Sequence, residues 1–129
     1  MNNSYLIDSH VFVWLLYSPD LLNEHVKLLV TTADQVFVSR ISLIELAFKH
    51  GAGKFAISPS KLEEGVTDLG VKILEINAKH LSEYANTRMQ HKDPFDKLLI
   101  TQSRVDSLHF ITADKTLIEN DYPVIDARP

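Results

Sequence analysis

The chain has 129 residues, 45% of them hydrophobic and 23% charged, a profile that suits one globular domain over residues 1–129 with a core that needs no disulfide or structural metal. It contains no cysteine, which excludes a disulfide framework, a thiolate nucleophile and Cys-ligated zinc, and agrees with a reducing compartment. The formal net charge is −4, opposite in sign to a typical nucleic-acid binder, although carboxylates that gather divalent cations would account for part of such a balance.

The N-terminus carries no positive charge, and its apolar run Tyr5-Leu6-Ile7 breaks at Asp8. It reads as a buried first strand, not as a leader or a membrane span, and the protein is read as cytoplasmic with no membrane partner. Val11, Trp14 and Leu15 recur at helical spacing, which predicts a helix opening near Ser9 and stopped by Pro19. A second helix is expected over Leu21 to Val30, then a strand at Val36-Phe37-Val38. Ile41 to His50 has helical periodicity, stopped by Gly51 and Gly53. Further along, the pattern predicts a helix over Pro59 to Leu69, a strand over Val71 to Ile76, and a helix from Ala78 to about Met89. A strong helix over Pro94 to Val105 follows, with a strand at Phe110-Ile111 ending at Thr112, a short helix over Lys115 to Glu119, and a weak strand over Tyr122 to Ile125. Strands alternating with helices imply right-handed crossovers and a mostly parallel sheet of about five strands, covered on both faces. Ligands of such sheets sit beyond the carboxyl ends of the strands.

That rule directs attention to acids just after strands. Asp8 follows the first strand and precedes a helix; Asp114 closes Phe110-Ile111-Thr112-Ala113-Asp114 in the same way. Each is equally a natural helix N-cap. Glu45 lies on the stripe Ile41, Ile44, Phe48, where a carboxylate is costly unless it is paired or binds a metal; the competing reading is an ion pair with Lys49 at i+4. In Asp93-Pro94-Phe95-Asp96, Pro94 fits the first helical turn, which makes Asp93 the cap and puts Asp96 at the third helical position, near the positive end of the helix dipole. Converged on one crevice, these oxygens would suit a hard divalent cation, which activates water and stabilises an in-line phosphoryl displacement.

These segments together resemble the PIN-domain family, and within it the VapC-type toxins of prokaryotic toxin–antitoxin modules. The resemblance is carried by Tyr5-Leu6-Ile7-Asp8-Ser9-His10, by Ser42 to Lys49, by Asp93 to Ile100 and by Ile111-Thr112-Ala113-Asp114. It implies a three-layer α/β/α fold and Mg²⁺- or Mn²⁺-dependent RNA cleavage, with Asp8, Glu45, Asp96 and Asp114 as the four acids. It further implies a homodimer and inhibition by an antitoxin peptide. Thr112 falls on a small hydroxyl position near the site, and Asp93 on an acid of one branch of the family. Ser9 stands where Thr is more usual and preserves the hydroxyl.

His91 and Lys92 flank the expected site, and Lys49, Lys97 and Lys115 each stand close in sequence to an acid; they are candidate RNA contacts or ordinary surface cations. Gly51-Ala52-Gly53-Lys54 is not a phosphate loop, because Phe48 and Phe55 occupy the positions that would need Gly and Ser or Thr. Two readings compete with a nuclease. A phospho-accepting receiver-like domain would want an acidic pair after the first strand and a lysine after the last, and a haloacid-type phosphatase would want an Asp where His10 stands.

Overall fold

The computed structural model describes residues 3–88, 93–120 and 122–129. Five strands, β1 (Ser4–Ile7), β2 (Gln35–Ser39), β3 (Lys72–Leu74), β4 (His109–Thr112) and β5 (Val124–Asp126), form one sheet in the order β3-β2-β1-β4-β5. All four pairings are parallel. The helices are α1 (Ser9–Tyr17), α2 (Glu24–Thr32), α3 (Arg40–Gly51), α4 (Pro59–Leu69), α5 (Ala78–Asn86), α6 (Pro94–Val105) and α7 (Lys115–Glu119). Together they make a three-layer α/β/α arrangement around the expected five-stranded sheet.

The strand pleat sorts side chains between two cores. On β1, Tyr5 and Ile7 join one core with Val11 and Phe12 of α1, Val26 of α2 and Leu62 and Val66 of α4. Leu6 points the other way and joins Leu99 and Ile100 of α6, Phe110 of β4 and Leu117 of α7. β1 is thus buried on both faces, as a central parallel strand must be. Phe12 and Phe110 are fully buried, and each such side chain contributes roughly 1.5–3 kcal/mol of transfer free energy.

The sheet order places the site. From β1 the chain steps to β2 and β3 on one side, then returns to lay β4 against the other side of β1. The crevice of a parallel sheet opens where the order reverses in this way, here between the carboxyl ends of β1 and β4. Ile7 pairs with Ile111, so the next residues, Asp8 and Thr112, stand side by side.

Several boundaries differ from expectation. A 3-10 turn occupies Pro19–Leu21, and α2 starts only at Glu24 because the Asn23 side chain caps it at Val26 N. Asn23 also donates to the carbonyls of Asp126 and Arg128, pinning the C-terminal segment to α2. β3 has three residues where six were expected, after Gly70 ends α4 in a left-handed conformation at φ 71°. α5 stops at Asn86; Met89 lies outside the described residues. β5 begins after Pro123, which has no N–H to give to a ladder. The Gly51-Ala52-Gly53-Lys54 segment is the expected helix C-terminus: Lys54 N bonds Lys49 O at 2.8 Å, with Gly53 at φ 73°. Among the described residues, no helix is long and apolar enough to cross a membrane.

Candidate active site

Three helix N-termini meet at the crevice. Asp8 caps α1 by accepting from Val11 N, Asp93 caps α6 by accepting from Phe95 N and Asp96 N, and Asp114 caps α7 by accepting from Thr116 N and Leu117 N. All three capping acids also line one cleft. Asp93 and Asp114 each spend one oxygen, Oδ1, on the cap. Among the described residues, nothing donates to the other oxygen of either. The positive ends of the helix dipoles favour the negative charge collected there.

Asp8 is the most constrained of the acids. It is 6% exposed, and Oδ2 accepts both the Thr112 hydroxyl and Ala113 N at 3.2 Å, while Oδ1 accepts Val11 N at 2.9 Å. Burial pushes its pKa up; the Thr112 hydroxyl and the Val11 N–H oppose that rise most strongly, followed by the charge of His10 and the Ala113 N–H. Three donors leave a carboxylate about one of its roughly four lone-pair sites. Thr112 is fully buried and its hydroxyl also accepts Asp114 N at 3.0 Å, so one side chain ties the acids of β1 and α7 together.

Glu45 is half-buried on α3, and its Oε1 accepts the Ser9 hydroxyl at 3.0 Å. The stripe used to place it is corrected by the structure. Phe48 is 65% exposed, and the buried face of α3 is Ile41, Ser42, Leu43 and Leu46. Glu45 borders the crevice instead of entering the core. No ion pair joins it to Lys49 among the described residues; the hydroxyl of α1 is its partner, 36 residues away in sequence.

One cleft of about 190 Å³ is lined by Asp8, Ser9, His10, Glu45, Lys49, Asp93, Asp96, Leu99 and Asp114. All four expected acids and Asp93 thus share one space. Of the other expected contacts, Lys49 lines it, whereas Lys97 places its ammonium 4.3 Å from the Tyr84 ring centroid. Lys115 is exposed in the first turn of α7. His91 and Lys92 lie outside the described residues. Sequence reasoning did not single out His10, and the signal available for it was its place two residues after Asp8.

The donor set suits a hard divalent cation: five carboxylates, a hydroxyl and no sulfur, against a single lysine, among the described lining residues. As the side chains stand, no group of three or more His, Asp or Glu residues among those described is close enough to hold a metal ion. The chemistry of the donor set fits such an ion.

Comparison with known proteins gives the family and the fold. The PIN domain family matches residues 5–121. No curated protein sequence matches the chain. Similar solved structures include a toxin–antitoxin complex from Klebsiella pneumoniae, at 18% identity and TM-score 0.66, with 94% of this chain and 95% of that one covered. VapBC2 from Rickettsia felis, bound to a DNA fragment from its promoter, is 15% identical with TM-score 0.65, covering 98% and 99%. FitAcB from Neisseria gonorrhoeae is 21% identical with TM-score 0.63, covering 95% and 96%. These likenesses speak for the fold. The match over residues 5–121, nearly the whole chain, shows that the protein belongs to the PIN domain family.

Proposed function

We propose that the protein is a Mg²⁺- or Mn²⁺-dependent endoribonuclease, acting as one domain over residues 1–129 and serving as the toxin of a toxin–antitoxin pair. The observation that carries the reading is the convergence of Asp8, Glu45, Asp93, Asp96 and Asp114 on one cleft at the carboxyl ends of β1 and β4, in a chain of the PIN domain family. The toxin role is supported by similar solved structures that include a toxin–antitoxin complex from Klebsiella pneumoniae and a member of the VapBC family of toxin–antitoxin systems from Mycobacterium tuberculosis.

Asp8, Glu45, Asp96 and Asp114 would hold the ion, directly or through water. When bound, it supplies a lowered pKa for the attacking water and neutralises charge on the scissile phosphate. The chain's own residues do the positioning. Thr112, Val11 N and Ala113 N fix both oxygens of Asp8, and Ser9 fixes Glu45. Lys49 lines the cleft and would meet a phosphate oxygen of single-stranded or looped RNA. An antitoxin would place a basic side chain in the same acidic cleft, and the toxin would act as a homodimer.

The receiver-like reading is weakened by topology. Receiver folds run β2-β1-β3-β4-β5, whereas this sheet runs β3-β2-β1-β4-β5. The deciding experiment incubates the protein with a set of unpaired and hairpin oligoribonucleotides in Mg²⁺, in Mn²⁺ and in EDTA, beside Asp8→Asn. Cleavage that needs metal and is lost in Asp8→Asn, with an unchanged circular dichroism spectrum, is the expected result. Full activity in EDTA or in the variant would defeat the proposal, as would acetyl-phosphate labelling of one Asp without any cleavage.

A further inference from the structure

Five carboxylates and a single lysine line the cleft among the described residues, so beyond what a bound cation neutralises, contacts that do not depend on charge would add to the affinity for RNA. His10 offers one. It is the single aromatic side chain among the described residues lining the cleft. It is exposed in the first turn of α1, and no described group hydrogen-bonds to it. Its ring leans on Trp14, one helical turn further on, with centroids 6.3 Å apart and planes at 51°. That separation and tilt are those of a favourable aromatic pair. Trp14 is half-buried and packs against the core beneath α1, so the imidazole is backed by an anchored ring.

Unpaired bases of RNA are held by stacking on aromatic side chains, His included, and such contacts tolerate any base because each has a π-face. We propose that His10, backed by Trp14, is a base-stacking platform that holds the nucleobase beside the scissile phosphate. The inference rests on the ribonuclease reading and deepens it: the substrate is RNA whose base at the cut site is splayed out of any helix. Stacking adds affinity without adding charge, which is what a cleft crowded with acids requires.

Trp14 is the only tryptophan, so intrinsic fluorescence reports on the platform itself. Wild type, His10→Ala and His10→Phe are titrated with a short unpaired oligoribonucleotide, with Ca²⁺ in place of Mg²⁺ to slow turnover. RNA should shift the Trp14 emission of wild type. His10→Ala should bind about fivefold more weakly or worse, the lower end of what one stacked base is worth, with the loss in KM and little in kcat. His10→Phe keeps a stacking face and should bind within about twofold of wild type. An oligonucleotide with an abasic cut site should bind wild type about as weakly as intact RNA binds His10→Ala. Equal binding by all three proteins, in a wild type that cuts RNA, would overturn the platform alone. Equal losses in Ala and Phe would make His10 a hydrogen-bonding or charged contact and overturn stacking. Loss of Mn²⁺ affinity in His10→Ala would assign the ring to the metal-holding groups and overturn stacking as well. A wild type that neither binds nor cuts RNA defeats the ribonuclease reading and this inference with it.

Discussion

Replacing Thr112 by Val keeps the shape of a fully buried side chain and deletes one hydroxyl that serves two acids. The hydroxyl donates to Asp8 Oδ2 and accepts Asp114 N at 3.0 Å. Losing the second bond strands a backbone N–H, which costs about 1 kcal/mol or more at any pH. Losing the first removes a hydrogen bond to a charged group, about 1.5–3 kcal/mol, but only while Asp8 is ionised. The pH dependence has a definite sign. Burial already raises the folded pKa of Asp8 above its ordinary value, and the Thr112 hydroxyl is the largest influence opposing that rise. A raised carboxylate pKa means the folded state holds its proton longer than the unfolded chain, so stability falls as pH climbs from about 3.9 through the folded pKa. Thr112→Val should deepen that fall and carry it to higher pH. Urea unfolding in EDTA should therefore show a loss of about 1 kcal/mol near pH 4, growing to about 2.5–4 kcal/mol at pH 8. In an Asp8→Asn background the pH-dependent part should disappear. A loss that is the same at both pH values, or unaffected by Asp8→Asn, would refute the idea that this hydroxyl holds the ionised form of Asp8.

Two further predictions follow from single contacts. Ser9→Ala should cost about 0.5–1.5 kcal/mol in unfolding experiments and lower RNA cleavage by freeing Glu45 from its 3.0 Å partner, whereas Ser9→Thr should restore both; equal activity in Ala and Thr variants would remove Ser9 from the site. Asn23→Ala should lower stability by about 1–3 kcal/mol, losing a helix cap and two bonds to the C-terminal carbonyls. Because Asn23 lies away from the cleft, cleavage per folded molecule should be unchanged, and a large loss of kcat would contradict that separation.

The architecture was legible because this chain repeats the same physical cue. Apolar runs such as Tyr5-Leu6-Ile7 end on an acid that starts a helix, and a parallel sheet has one edge where such acids can meet. The uncertain point at Asp8, Asp93 and Asp114 was whether each acid caps a helix or serves a site. In the structure all three cap helices and all three line one cleft, and at Asp93 and Asp114 the cap uses only one carboxylate oxygen. Glu45 lines the cleft with the other acids, but the stripe that singled it out does not hold. Apolar spacing on α3 picked out Phe48, which is exposed, because a helix with several apolar residues supports more than one stripe and only packing selects between them. His10 was passed over because its one local cue, a place two residues after Asp8, is weak; that it lines a cleft with Glu45 and Asp96 is not visible in sequence. The same holds for the buried polar chain in which Ser39 donates to Gln102 Oε1 at 2.6 Å and the fully buried His80 meets Asp106 Oδ2 at 2.6 Å. Its members are separated by 63 and 26 residues in sequence, so no window of sequence contains the reason they tolerate burial.

If the five-carboxylate cleft is a divalent cation site built around Asp8, calorimetric titration of Mn²⁺ into the metal-free protein will show it. Wild type should give a saturable isotherm, with heat that vanishes in Asp8→Asn while the circular dichroism spectrum stays the same. A wild type that takes up no Mn²⁺, or an Asp8→Asn protein that binds it as wild type does, would mean that the cleft is not a cation site built around Asp8.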